Sequence, residues 1–140
     1  MSEVGEVVSH VPPPRQRLSQ LPGSFAVAQG ADAEAALAGG AWLAAVRAPE
    51  GLTVVWPARA GDAEVWSAFY GGASAHGLDV PGMLAALVKP LAEHGVPVFV
   101  ASTFRADVVL VPADRRAAAA DILRAAGHDV EIPISPAAEM

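Results

Sequence analysis

The sequence predicts an α+β fold in which two helices cross over between the strands of one sheet. Three observations predict it. Met83, Leu84, Leu87, Val88 and Leu91 recur at helical spacing. Two short apolar runs, Val96–Ser102 and Asp107–Val111, are separated only by Thr103–Ala106, which favours a hairpin. A second helical pattern, Ala113–Ala126, places Ala119, Ile122, Leu123 and Ala126 on one face.

The elements follow in order. Glu64–Tyr70 reads as a strand. Val80–His94 is the first helix of this region. Asp79 is placed to cap it, Pro81 suits its first turn, and Gly95 suits the position past its end. Pro90 has no N–H, so it should bend this helix or leave one carbonyl unpaired. After the hairpin, Pro112 opens the second helix. Asp114 suits its first turn and Arg124 its last, and Gly127 stops it. His128–Ile132 is the final strand. The order strand, helix, strand, strand, helix, strand, with right-handed crossovers, is ferredoxin-like. It implies a four-stranded antiparallel sheet with both helices on one face.

The first half is less regular. Gly23–Gln29 and Leu52–Pro57 read as strands, Trp42–Arg47 as a third, and Asp32–Gly39 as a short Ala-rich helix. This is an abbreviated copy of the same pattern. The expected organisation is a flexible arm over 1–17, holding Pro12-Pro13-Pro14, an abbreviated unit over 18–62, a complete unit over 63–132, and a tail over 133–140. Neither unit is large enough to bury much core alone, so both should pack as one body and dimerise.

Composition narrows the function. The chain has 140 residues, 53% of them apolar and 17% charged, and no Cys. Disulfide scaffolds, thiolate zinc sites and thiol nucleophiles are thereby excluded. No apolar run reaches the ~18–20 residues of a membrane span. Met1–His10 carries acidic residues and no apolar stretch, unlike a secretory signal. A formal charge of −6 argues against nucleic acid and anionic membrane as partners. A cytoplasmic protein is expected. The four His (His10, His76, His94, His128) show no i, i+4 pair, so no metal is expected. There is no nucleophile elbow, phosphate loop or dinucleotide fingerprint, and no cofactor is expected.

Several segments occur in an ordered set. They are Leu21-Pro22-Gly23-Ser24-Phe25-Ala26-Val27, Leu52-Thr53-Val54-Val55-Trp56-Pro57, Gly82, and Pro90-Leu91-Ala92-Glu93-His94-Gly95 leading to Ser102-Thr103-Phe104-Arg105-Ala106-Asp107-Val108-Val109-Leu110-Val111. This set resembles small bacterial proteins built from two ACT modules, related to the CASTOR-type arginine sensors. The resemblance implies an ACT fold, a regulatory module that binds amino acids or similar small molecules, and a ligand at a module or subunit interface. It implies that Gly82, Ser102, Thr103 and Asp107 lie beside that interface. The pattern departs from the family where Arg105-Ala106 and Gly51 replace family positions that include acids.

The residues themselves permit this chemistry. An amino acid's carboxylate suits the N–H groups of a helix start, and Gly82 lets it approach closely. Its ammonium suits Asp107. Ser102 and Thr103 can add hydroxyl contacts, and Arg105 can take a second carboxylate. The alternative is that Asp107 pairs with Arg105 or caps the turn, while Ser102 and Thr103 fill turn hydrogen bonds and Arg105 is solvated. A small enzyme using Asp107, Glu93 or His76 as acid or base is a rival function, as is a partner-binding protein with a degenerate pocket.

Overall fold

The computed structural model describes residues 15–72 and 81–133. The strands are β1 (Arg17–Gln20), β2 (Phe25–Gln29), β3 (Ala44–Ala48), β4 (Gly51–Pro57), β5 (Trp66–Tyr70), β6 (Phe99–Ser102), β7 (Asp107–Pro112) and β8 (Asp129–Glu131). The helices are α1 (Gly30–Gly39), α2 (Met83–Glu93) and α3 (Arg116–Ala125), the last preceded by a 3₁₀ turn over Ala113–Arg115. All eight strands join one sheet.

Alternation along the strands sorts residues to two faces. Phe69, Val109 and Val111 point to the face covered by α2 and α3, where they pack with Leu87, Leu91, Ala119, Ala120 and Leu123. Both helices of this region thus share one face. Each fully buried Leu here contributes about 2 kcal/mol. The neighbouring residues Ala68, Val108 and Leu110 point the other way and pack with Phe25 and Val55 from the first half. On β4, Val55 joins that shared core while Val54 and Leu52 face α1 through Ala33 and Ala36. The helix-free surfaces of the two halves therefore meet, and the helices lie outside.

Helix ends follow their local chemistry. Gly95 and Gly127 take positive φ (72° and 103°) directly after the ends of α2 and α3, a conformation that L side chains resist. The start of α2 differs from expectation. Its cap is Gly82, at φ 82°, with no side-chain cap bond. Pro81 precedes that cap rather than entering the first turn. The expected cap Asp79 lies outside the described residues, as does Val80.

The sheet also departs from the expected four-stranded antiparallel layout. In that layout β8 would pair with β5. Instead β1 pairs antiparallel with β5 (Ser19↔Tyr70, Gln20↔Phe69) and parallel with β8 (Leu18↔Val130). β1 therefore sits between them. Leu18, only 2% exposed, gives the insertion its driving force by filling the core under α2 and α3. β2 then continues along the same edge of β5, with Phe25 opposite Trp66. The intervening Pro22-Gly23 bulges out, and Leu21 N–H still reaches the Ala68 carbonyl at 2.9 Å. Gln16 is buried and β1 starts at Arg17, inside the stretch that the sequence reads as an arm.

Candidate functional site

The β6–β7 turn carries four of the five expected site residues. The Ser102 hydroxyl donates to Asp107 Oδ1 at 2.7 Å across the mouth of the hairpin. Thr103 Oγ1 donates to the Ala106 carbonyl at 2.9 Å and accepts from the N–H groups of Arg105 (3.1 Å) and Ala106 (3.0 Å). Thr103 N–H also meets the Ala106 carbonyl at 2.7 Å. The Thr103 side chain is thus occupied in shaping the turn. Asp107 keeps its Oδ2 open, and Arg105 extends an exposed guanidinium with no partner among the described residues.

The fifth residue, Gly82, is brought close to this turn by two intermediaries. Gly71 N–H donates to the Asp107 carbonyl at 3.2 Å. A methyl group at Gly71 would stand 3.5 Å from Gln16 Oε1 and 3.9 Å from Ala106 Cβ, so these groups converge there. Gln16 Nε2 donates to the Met83 carbonyl at 2.7 Å, immediately after Gly82. The start of α2 and the Asp107 end of the hairpin therefore flank Gln16 and Gly71. Gly82 has no side chain to cap α2, and among the described residues no side chain caps its first N–H groups.

Gln16 belongs to a latch the sequence did not reveal. His128, 4% exposed, stands just before β8. Its Nδ1 accepts from Gln16 N–H at 3.0 Å, and its Nε2 lies 3.0 Å from the Ala86 carbonyl. These partners require a neutral ring with the proton on Nε2. Ala86 is four residues before Pro90, so its carbonyl is the one that Pro90 cannot pair. The expected orphan carbonyl exists, and His128 satisfies it. The Pro that looked like a flaw in α2 creates the acceptor for a ring from the far end of the chain.

The other candidates are dispersed. His94 caps α2, its Nδ1 2.9 Å from the Pro90 carbonyl. His76 lies outside the described residues. Glu93 is exposed on α2. Among the described residues no group of three or more His, Asp or Glu converges to hold a metal. No described helix is long and apolar enough to cross a membrane. Trp56 stacks under the Arg59 guanidinium at 4.3 Å, and Trp66 meets Phe99 edge to face at 6.5 Å. Trp42 is exposed.

Two hollows stand away from the turn. A cleft of about 630 Å³ beside β1 and β8 is lined by Arg15, Arg17 and Arg124 together with Asp129 and Glu131. Its arginines are engaged. Arg15 Nε donates to the Gly127 carbonyl, and Arg124 donates to the Val130 carbonyl and faces Asp121 at 3.5 Å. A second hollow of about 560 Å³ lies against Trp66, between Pro97 and Pro112.

Comparison with known proteins adds to this geometry. No curated protein matches the chain. An Agobacterium tumefaciens protein solved by X-ray crystallography, Atu0741, is similar, with 28% identity and a TM-score of 0.70 over 87% of this chain and 96% of its own. A Vibrio cholerae protein of unknown function, VC0802, described as a possible transport protein, shares the fold with a TM-score of 0.67 and 23% identity, over 88% of this chain and 96% of its own. Residues 63–125, from before β5 to the end of α3, match the ACT domain model, which supports an ACT domain over that segment.

Proposed function

We propose that this protein is a regulatory module that binds a small molecule, an amino acid by its chemistry, at a module or subunit interface. It acts in the cytoplasm as a homodimer, and it reports binding through assembly or through a partner rather than through catalysis. The observation that carries this reading is the start of α2, capped by no side chain among the described residues, with the Ser102–Asp107 pair on the other side of Gln16 and Gly71. A carboxylate fits the N–H groups after Gly82, favoured by the helix dipole, and the missing Cβ allows close approach. An ammonium fits Asp107 Oδ2, while Ser102 holds Oδ1 and fixes the carboxylate's orientation. Thr103 shapes the turn that presents them. Arg105 is not needed for a ligand with one carboxylate. The ACT domain match over residues 63–125 supports the same class of function.

Isothermal titration with each common amino acid tests the reading. At least one is expected to bind more tightly than millimolar, and Asp107→Asn is expected to weaken it about tenfold or more. If no amino acid binds and Asp107→Asn changes nothing, the reading fails.

A further inference from the structure

We propose that two copies of this chain pair by seating the Phe104–Arg105 turn of each in the aromatic, acid-rimmed groove of the other. This rests on the homodimer reading above and names its surface. It does not depend on any ligand.

The turn is built as a projection. Phe104 is 81% exposed, the most exposed large apolar side chain among the described residues. The Thr103 bonds to Arg105 N–H, Ala106 N–H and the Ala106 carbonyl hold the backbone on both sides of it. They fix the backbone that presents Phe104 to solvent. Beside it, the Arg105 guanidinium has no partner among the described residues. A rigid loop presenting a bare ring and a bare cation matches the kind of anchor that interfaces bury.

The groove is the complement. The hollow between Pro97 and Pro112 adjoins one of about 460 Å³, and the two share Ala63, Glu64 and Trp66. Trp66 and Phe99 form the wall, and Phe99 lines the second hollow. Glu64 and Asp114 line the groove, and neither has an ion-pair or hydrogen-bond partner among the described residues. An aromatic wall accepts a Phe edge to face, and an unpaired carboxylate accepts a guanidinium through two hydrogen bonds.

Symmetry joins the two. The groove lies at the start of β6, at Pro97 and Phe99, and the turn lies at its end. Among the described residues β6 pairs only with β7, which leaves its outer edge without a neighbouring strand there. A two-fold axis across the middle of that edge reverses the strand direction. It brings each turn alongside the partner's groove, twice, as a self-complementary interface requires. β6 carries no charged residue to guard its edge, whereas three-residue β8 carries Asp129 and Glu131.

Sedimentation equilibrium of the full chain from about 1 to about 200 µM tests the proposal. The unaltered chain is expected to dimerise. Arg105→Glu alone and Glu64→Arg alone are each expected to raise the dimer Kd about tenfold or more. An equimolar mixture of the two variants is expected to recover dimer, because every turn then meets an oppositely charged groove. Phe104→Ser is expected to weaken the dimer without any charge change. All three positions are exposed, and circular dichroism should show an unchanged fold. A chain that stays monomeric overturns both this proposal and the homodimer reading. A dimer whose Kd none of these changes moves overturns this proposal alone.

Discussion

The 102–107 turn closes on itself, whereas the Gln16–His128 latch ties together both ends of the chain. Both are small sets of hydrogen bonds. The turn's bonds span two to five residues and are exposed or only part-buried, so water can reach them more readily. The latch's bonds span 42 to 112 residues and are buried. Water has no ready access there, and a lost partner leaves an unpaid desolvation. A small set of bonds therefore means different things in the two places. The turn determines local shape and presents groups outward, while the latch determines which segments stay together.

The sharpest way to break the comparison is His128→Ala. It leaves Gln16 N–H and the Ala86 carbonyl buried without partners, and it opens a void. Stability is expected to fall by about 3 kcal/mol in urea unfolding. A loss below about 1 kcal/mol would show that water substitutes for the ring and that the latch is no different from the turn. A finer test uses Pro90→Ala, which gives α2 back the N–H that can reach the Ala86 carbonyl. In a double-mutant cycle, His128→Ala is expected to cost about 1 kcal/mol less in the Pro90→Ala background. Additive effects would mean that the freed carbonyl is not what His128 serves. The smallest effect belongs to the turn. Thr103→Val removes its side-chain bonds, yet thermal unfolding is expected to register only about 0.5–1 kcal/mol.

The legible parts of this molecule were the local ones. The spacing of Leu84, Leu87 and Leu91 marked α2, and Gly95 and Gly127 marked the helix ends, because those signals act within one turn of chain. The missing Pro90 donor could be read as a freed carbonyl. Its partner could not, since His128 reaches it only after the whole sheet has formed. β1 was invisible for a similar reason. Arg17-Leu18-Ser19-Gln20 has one apolar residue, too few to show a period, and its strand character comes from β5 and β8 on either side. Its insertion is what separates β8 from β5. Within the candidate site, Ser102, Thr103 and Asp107 are neighbours in sequence, so their turn bonds can be anticipated from the local pattern. Gln16 was missed because only the fold brings it to Met83 and Gly71.

The place of β1 also has a bearing on time. Among the described strands it is made first, and the one it lies parallel to is made last. Until residues near 129 have been made, Leu18 has only β5 beside it, and the closing step must bridge most of the chain. Long-range closure of this kind slows folding, because loop entropy is lost before the contact repays it. The Gln16 amide that supports the start of α2 is therefore synthesised early and fixed late. Until it is fixed, a nascent chain would hold every residue of the candidate site and still lack the frame that aligns them.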